Sequence, residues 1–371
     1  MNRKIKSSLI RFIGIGLIIS LFLAIIWTII AIGQDYAAHQ EVVGWGSILF
    51  ISAVLMAACT GFFYSHILIH EAGHLIAGVV SGYTFLLFRM GRFGLIKEDK
   101  AFKLISYRMS GTLGQCLMYP PDAVIKPYRL YLAGGVLGNL LTATAGLGAY
   151  FLFPTRYLIL FSLMGLVAAV TNGIPLGYND GKILGKLMKS ETAQEQFFQQ
   201  LKWNGEFIRF EKTYSEVGTE DKIINVNQPI TEQFNIYTKL VEINALLEQL
   251  KLDEAYSELS DLFSQRNYVI TPYRVEIMRE YLFCLLILNE GSSFLVEQIV
   301  NDPAFKEHLR TRQVDVFRLK GVLAYFREND RQEAEIQLEL AEDYLKKAPT
   351  NADRQVNRVL LDYLKELMEF E

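Results

Sequence analysis

Two histidines and a glutamate lie within one five-residue stretch of this chain, His70-Glu71-Ala72-Gly73-His74. Residues four apart on a helix lie one turn apart on the same face, so both imidazoles can reach one zinc ion, and Glu71 can act as base for a metal-bound water. The flanking residues are apolar enough for a membrane, where such side chains are costly and tend to persist for function. Two alternatives are a helix end with solvated polar residues and histidines paired with neighbouring backbone. The stretch predicts half of a metal site.

A third ligand is expected, because a catalytic zinc usually takes three protein ligands and keeps a fourth position for water or substrate. Asp180 is the natural third ligand: it follows an apolar run, and Pro175 and Gly181 can break the helix there and turn the carboxylate toward the histidines. His66 lies one turn before His70, but each four-residue step drifts by about 40°, which makes three ligands from one straight helix awkward. We interpret His66 as a residue that supports the ligands or contacts water.

These residue types indicate metal-assisted hydrolysis. Zinc lowers the pKa of a bound water to about 7, and Glu71 would take its proton and later pass it to the leaving amine. Zinc itself, or a nearby amide donor such as Asn139 or Asn172, would stabilise the oxyanion. The expected catalytic residues are therefore Glu71, Asn139 and Asn172.

Four apolar stretches would position these residues as membrane crossings. The first has about the 20 residues that a bilayer needs, and we interpret it as an uncleaved anchor, because the apolar core of a signal peptide usually has about 7–15. The second contains the histidines and is too long for one straight crossing, so it must tilt, extend past the membrane, or break at Gly61 or at Ser81-Gly82. The stretches are 12–32, 44–82, 129–153 and 157–174.

The loop between the second and third crossings carries seven lysines and arginines within residues 83–128, which places it on the cytoplasmic side by the positive-inside rule. Both termini then also lie inside, and Arg156 is the exception in loop charge. Residues 84–90 and 102–109 have the pattern of strands joined by a charged turn at 97–100, and 113–119 is a third extended piece. A small β-hairpin region at the membrane surface is expected, either in contact with substrate or without a functional role.

From residue 188 onward the chain is charged and has the pattern of paired helices, as in tetratricopeptide-like repeats, although an ordinary helical bundle is the alternative. The predicted fold class is mainly α: a polytopic membrane protein with about four transmembrane helices, a small β region and a soluble α-helical-repeat domain. A helix is expected at 190–214 and a polar linker at 217–229. The later helices are expected at 234–250, 253–265, 274–288, 293–300, 314–327, 331–347 and 353–370.

Composition excludes several other functions. The net charge is −3 and no basic stripe with interleaved aromatics is present, so no nucleic-acid partner is expected. The three cysteines are far apart in sequence and have neither metal-ligand spacing nor a disulfide pattern. The remaining histidines, His39 and His308, are expected at the surface.

Three motifs in order resemble those of the site-2 protease family of intramembrane zinc metalloproteases, over residues 44–187. The middle motif differs, because Val136 stands where the family usually has proline. The resemblance implies a three-helix catalytic core, an active site near the cytoplasm and cleavage of transmembrane segments. No stretch comparable to the family's PDZ or CBS modules is apparent, and the helical tail could take over their role. The motifs are His70-Glu71-Ala72-Gly73-His74, Gly135-x-x-x-Asn139 and Asn172-x-x-Pro175-x-x-x-x-Asp180-Gly181.

The sequence thus predicts an intramembrane zinc endopeptidase with Zn²⁺ on His70, His74 and Asp180. The expected domains are an anchor and outer loop (1–43), a metalloprotease core (44–187) and a cytoplasmic tetratricopeptide-like domain (188–371). Expected partners are a transmembrane protein or peptide substrate, such as a regulator or a signal peptide, together with membrane lipid and a cytoplasmic protein bound by the last domain. The expected location is the plasma membrane. The alternative is an inactive membrane-anchored adaptor; a transporter fits poorly, because no internal repeat is apparent.

Overall fold

The structure is a computed structural model that describes residues 3–40, 43–98, 101–106, 112–122, 127–218, 222–288 and 293–370. It is mainly helical, with one small antiparallel sheet, as the sequence predicts. The chain divides into two compact units. The first consists of Met1–Thr84 and Pro121–Ser190, and the second of Phe85–Pro120 and Glu191–Glu371.

Among its described residues, the first unit contains four helices that are long and apolar enough to cross a membrane, which confirms the number of membrane-length helices expected. A fifth, short helix follows the last of them. The candidate spans cover Ile10–Ala38 within the first helix and the full length of the next three. The helices are α1 (Arg3–Ala38), α2 (Trp45–Val80), α3 (Tyr128–Tyr150), α4 (Arg156–Gly173) and α5 (Asp180–Leu187).

The long second stretch forms one unbroken helix. Helix α2 has 36 residues and would be about 54 Å long, so it is longer than a bilayer core is thick. It runs through Gly61 without a break, because one glycine costs a helix interior only about 1 kcal/mol. It ends at Ser81, and Gly82 then turns the chain with φ of +83°. The predicted end of this stretch at Ser81-Gly82 is therefore confirmed, whereas the predicted break at Gly61 does not occur.

Helices α2 and α3 pack with their backbones in contact. A Cβ added at Gly73 would lie 2.2 Å from the carbonyl oxygen of Gly134, and one added at Gly134 would lie 2.4 Å from that of Gly73. Neither position tolerates a side chain at this separation. Small residues of this kind allow close helix approach in lipid, where packing rather than exclusion of water holds helices together. The contact sets α3 directly against the turn of α2 that carries both histidines.

Arg156, the exception in loop charge, has partners within the first unit. Its Nη1 lies 3.1 Å from a carboxylate oxygen of Asp35 and donates to the carbonyl of Ala31 at 2.9 Å. This pair joins the start of α4 to the end of α1. Arg156 lies in a loop that is predicted to be on the outer side, where lysine and arginine are less common. Asp35 provides its counter-charge there.

The chain breaks after α4, as Pro175 predicts. Residues 174–179 are not helical, and Asn179 caps α5 by accepting from the Lys182 amide at 3.0 Å. The Asn179 side-chain amide also donates to the carbonyls of Thr171 and Ile174, at 2.7 and 2.6 Å. One asparagine therefore ties the end of α4 to the start of α5 and places Asp180 at the first helical position.

The second unit begins with a four-stranded sheet in the order β3-β2-β1-β4. Strand β2 was not predicted from the sequence. The turn predicted at 97–100 overlaps the end of this strand, because Gly94, Lys97 and Glu98 are residue types that are common in turns. The actual turn between the first two strands is at Gly91-Arg92, where Gly91 has φ of +59°. Residues 107–109 of the predicted second strand lie outside the described residues. The strands are β1 (Thr84–Met90), β2 (Phe93–Glu98), β3 (Ala101–Ser106) and β4 (Gly114–Tyr119).

Within the residues that the structure describes, the second unit has ten further α-helices, and most follow the predicted pattern. Helix α6 packs against the sheet, where Ile208 joins Leu86, Leu87 and Ile96 in one buried cluster. The helix at 303–309 was missed because its proline looks like a breaker, although proline is favoured at the first helical position, after the Asp302 cap. The helices are α6 (Glu191–Ile208), α7 (Tyr214–Val217), α8 (Gln233–Glu248), α9 (Leu252–Ser264), α10 (Thr271–Ile287), α11 (Ser293–Val300), α12 (Pro303–Leu309), α13 (Val314–Phe326), α14 (Arg331–Leu345) and α15 (Asn351–Phe370).

The prediction that His308 lies at the surface is wrong. Its side chain is buried and its Nε2 lies 3.5 Å from the Asp315 carboxylate. A polar side chain can be buried where a charged partner meets it, and a single sequence does not show that partner. His39, in contrast, is exposed as expected, and the three cysteines are free.

A buried ion pair stabilises the helical part of the second unit. The Arg318 guanidinium donates to both oxygens of Glu280 at 2.8 Å and to Asn357 at 2.9 Å, and both charged side chains are almost fully buried. Burial alone would raise the pKa of Glu280, but the charges of Arg318 and Arg279 and their hydrogen bonds hold it below the ordinary value. The pair therefore contributes stability at neutral pH that is lost as the pH falls through the lowered pKa of the folded state.

We expect Glu280→Gln to destabilise the helical unit by about 3–5 kcal/mol at pH 7, because it leaves Arg318 buried without its counter-charge. The difference from the wild type should shrink as the pH falls below the ordinary glutamate pKa of about 4.3. Denaturant unfolding followed by the fluorescence of the buried Trp203 would measure it at both pH values. A penalty that is the same at pH 3 and pH 7 would contradict this account.

We expect Gly134→Ala to separate α2 from α3, because its methyl group would meet the backbone of Gly73. The midpoint of thermal unfolding in detergent should fall by several degrees. Gly148→Ala is the matched control on the same helix, since nothing lies within 4 Å of an added Cβ there. Equal midpoints for the two variants would show that the helices do not pack through this contact.

Candidate metal centre

Three side chains from two helices of the first unit converge on one point. His70 and His74 come from α2 and Asp180 from the start of α5, and one ligand atom from each lies within 4.8 Å of the others. The Asp180 Oδ2 atom lies 2.9 Å from His70 Nε2 and 3.3 Å from His74 Nε2, and the two Nε2 atoms are 3.2 Å apart. These separations are close to the roughly 3.4 Å expected between ligands of a tetrahedral zinc with bonds of about 2.1 Å. The group could hold a metal ion.

The hydrogen bond of His74 to α3 also supports a metal site. Its Nδ1 lies 2.8 Å from the Tyr131 carbonyl on α3, and a carbonyl can only accept, so the proton resides on Nδ1. The bare lone pair of Nε2 then faces both the Asp180 carboxylate and the Nε2 of His70. Acceptors that converge in this way attract a cation. A hydrogen bond to a carbonyl behind a histidine is also how proteins orient metal-binding imidazoles.

The surroundings of Asp180 favour its carboxylate form at an occupied site. Its Oδ2 atom faces the Nε2 atoms of both histidines, and a cation held between these three atoms would stabilise the negative charge. Its position in the first turn of α5 adds the favourable field of the helix N-terminus. An ionised carboxylate is the form that binds a metal.

A glycine leaves room for both imidazoles. A Cβ added at Gly135 on α3 would lie 2.5 Å from His70 Nε2 and 2.6 Å from His74 Nε2. Gly135 belongs to the middle motif, and its lack of a side chain is what the close packing of α2 and α3 requires. The sequence pattern contained this signal, but the reason for it becomes visible only in the structure.

Glu71 lies beside this group. It follows His70 on α2, is half-buried and lies near enough to His74 to interact with it electrostatically. Its expected role as a base stays a prediction.

The two asparagines expected as oxyanion donors have different surroundings. Asn139 is fully buried, its Oδ1 atom lies 3.2 Å from His66 Nδ1, and its Nδ2 atom lies 3.3 Å from His70 Nδ1. Asn172 donates its side-chain amide to the Ala168 carbonyl at 2.9 Å, within α4. The structure thus places Asn139 directly behind a candidate ligand and turns the Asn172 amide back onto its own helix. The oxyanion role of both stays a prediction.

His66 lies behind the candidate ligands rather than among them. It is 2% exposed, its Nε2 is 2.8 Å from the Phe161 carbonyl, and its ring lies 4.3 Å from the Phe161 ring. Its position one turn before His70 was visible in the sequence, whereas its partners on α3 and α4 were not. Of the two roles expected for His66, these contacts fit support of the ligands.

No protein-family model, no curated protein and no solved structure matches this chain. The resemblance to site-2 proteases therefore stays a prediction carried by the motif residues. The function has to be argued from the geometry of the site and the chemistry of its side chains.

We expect the purified protein to bind about one zinc ion per chain, and Asp180→Ala or His74→Ala to lose most of it, because each removes one of three ligands. His39→Ala is the control, since it removes an exposed histidine of the first unit. Elemental analysis after dialysis against a weak chelator measures the metal. Equal zinc in Asp180→Ala and the wild type would contradict the assignment.

Proposed function

We propose that this chain is an intramembrane zinc endopeptidase that hydrolyses a peptide bond in or near a transmembrane segment of a membrane-bound protein or peptide. The observation that carries the proposal is the convergence of His70, His74 and Asp180, with Glu71 beside them, on helices of membrane-length apolar character or directly after them. Ionisable side chains in such surroundings indicate a functional site. The resemblance of the motifs to those of site-2 proteases supports the same reaction.

Each residue of the group has a chemical role in this proposal. His70, His74 and Asp180 hold the ion, and Tyr131 fixes the His74 ring through its carbonyl. A bound zinc ion supplies Lewis acidity and makes water a stronger acid. Glu71 accepts a proton at its carboxylate from the water nucleophile and passes it to the leaving amine. These roles assign hydrolysis rather than transport or electron transfer.

The sheet offers a way to hold an unwound substrate. Strand β3 lies at one edge of the sheet, and most of its residues are exposed. A peptide bond within a membrane helix is shielded by the helix itself, so the substrate must become extended before it can be cleaved. We propose that an extended substrate segment pairs with this strand edge, since such edges bind peptides by strand addition.

Charge and composition support a location and a partner. The cation-rich loop favours a plasma-membrane protein with the sheet and both termini on the cytoplasmic side. The second unit carries paired helices that resemble tetratricopeptide repeats, which commonly bind other proteins. We propose that it recruits a cytoplasmic partner or the substrate.

We expect Glu71→Gln to retain about one zinc ion per chain and to reduce cleavage by about 10²–10⁴-fold, because the variant keeps the ligands and loses the base. Comparison of membrane proteomes from cells that express the wild type or the variant would identify substrates by their accumulation. Purified substrate then provides the rate.

Two outcomes would contradict the proposed function. Cleavage by Glu71→Gln at the wild-type rate would exclude the mechanism. Zinc binding by the wild type without any protein that changes between the two membrane proteomes would favour the adaptor.

A further inference from the structure

The two candidate histidine ligands are supported from behind in different ways. His74 contacts a backbone carbonyl directly, that of Tyr131. His70 contacts the amide of Asn139, which contacts His66, which contacts the carbonyl of Phe161. The second arrangement is a chain of three hydrogen bonds that crosses from α2 to α3, back to α2 and on to α4.

We propose that His66 and Asn139 are positioning residues that act through this chain to fix the tautomer of His70, so that its Nε2 lone pair faces Asp180. This inference rests on the proposed metal site and assigns to Asn139 a role other than oxyanion stabilisation. Neither residue needs to touch a substrate or the ion.

The Phe161 carbonyl determines which group donates and which accepts in each hydrogen bond of this chain of three. It lies 2.8 Å from His66 Nε2 and can only accept, so His66 carries a proton on Nε2. A neutral imidazole carries one proton, so Nδ1 of His66 is an acceptor. The group of Asn139 that meets it must then be the amide nitrogen, which donates.

The same amide sets the tautomer of His70. The two orientations of an asparagine amide fill the same volume, and the surrounding hydrogen bonds decide between them. The structure has Asn139 Oδ1 toward His66 Nδ1 and Nδ2 toward His70 Nδ1, and the reverse orientation is the one that the Phe161 carbonyl requires. With its nitrogen directed at His66, Asn139 directs its oxygen at His70 Nδ1, across the same 3.3 Å. An oxygen accepts, so the His70 proton resides on Nδ1. Nε2 is then bare, 2.9 Å from Asp180 Oδ2 and 3.2 Å from His74 Nε2, as a metal ligand must be.

The orientation with Oδ1 toward His66 and Nδ2 toward His70 has a clear cost. It would direct the oxygen at His66 Nδ1, so His66 would either be a cation or leave its Nε2 lone pair against the Phe161 carbonyl. It would also donate to His70 Nδ1 and put the His70 proton on Nε2, where the ligand lone pair is needed. Metal binding and the Phe161 carbonyl therefore favour the same direction of the chain.

Because Asn139 and His66 are buried, the surrounding protein determines the direction of these hydrogen bonds. Asn139 is 0% and His66 2% exposed, so water cannot replace either partner. The pocket is also tight: a Cβ added at Gly165 would lie 2.6 Å from His66 Cε1. Buried polar groups that are all satisfied hold one arrangement, and loss of one partner leaves the next without its hydrogen bond.

The test measures metal affinity rather than cleavage. Asn139→Leu fills a similar volume without hydrogen bonds, and we expect zinc affinity in chelator competition to fall about 10–100-fold, as for other residues that orient metal ligands. Asn139→Asp keeps an acceptor facing His70 Nδ1 and loses the donor to His66, so we expect it to retain more of the affinity than Asn139→Leu. His66→Phe keeps an aromatic ring against Phe161 but cannot accept, so we expect an intermediate loss.

Thr144→Val is the matched control. It removes a hydroxyl on the exposed face of α3 that bonds only to the helix itself at Leu140, and we expect unchanged affinity. The visible absorption spectrum of the cobalt-substituted protein gives a second readout, because it reports ligand geometry. It should change in Asn139→Leu and stay close to that of the wild type in Asn139→Asp.

The outcomes separate this inference from the proposed function. If the wild type binds zinc and both Asn139→Leu and His66→Phe bind it equally well, the chain does not position His70 and the inference is overturned, while the metal site stands. If Asn139→Asp loses as much affinity as Asn139→Leu, the assigned direction is wrong. If the wild type itself binds no zinc, the proposed function fails first.

Discussion

The backbones of α2 and α3 touch at Gly73 and Gly134, and the geometry of the candidate metal centre depends on that contact. Close packing of small residues is how helices of this length and apolar character hold together in lipid. Once the helices touch there, Gly135 leaves space for two imidazoles and the Tyr131 carbonyl meets His74. One steric constraint therefore sets both the position and the orientation of the histidines.

The position of Asp180, the candidate third ligand, depends on a different constraint, the broken backbone after α4. A straight continuation of that helix would carry Asp180 away, whereas the non-helical turn and the Asn179 cap bring it to the histidines. The cost of freed backbone groups is met by Asn179, which bonds to two carbonyls of the broken helix. Irregular backbone at such a site is tolerated where the protein itself satisfies it.

Much of the site could be predicted from the sequence, because ligand spacing and helix breakers are local signals. His70, His74 and Asp180 come together as expected, and the long apolar runs are helices. What the sequence did not reveal depends on contacts distant in the chain. The partners of His66 and Asn139 are examples, and so is the burial of His308 against Asp315.

The central claim is that two histidines and one aspartate hold a single metal ion between membrane-length helices. X-ray absorption at the zinc edge of the purified, zinc-loaded protein tests it most directly. We predict nitrogen and oxygen ligands at about 2.0–2.2 Å with outer-shell scattering from two imidazoles, reduced to one in His74→Ala. A spectrum without imidazole scattering, or one that His74→Ala leaves unchanged, would contradict the claim.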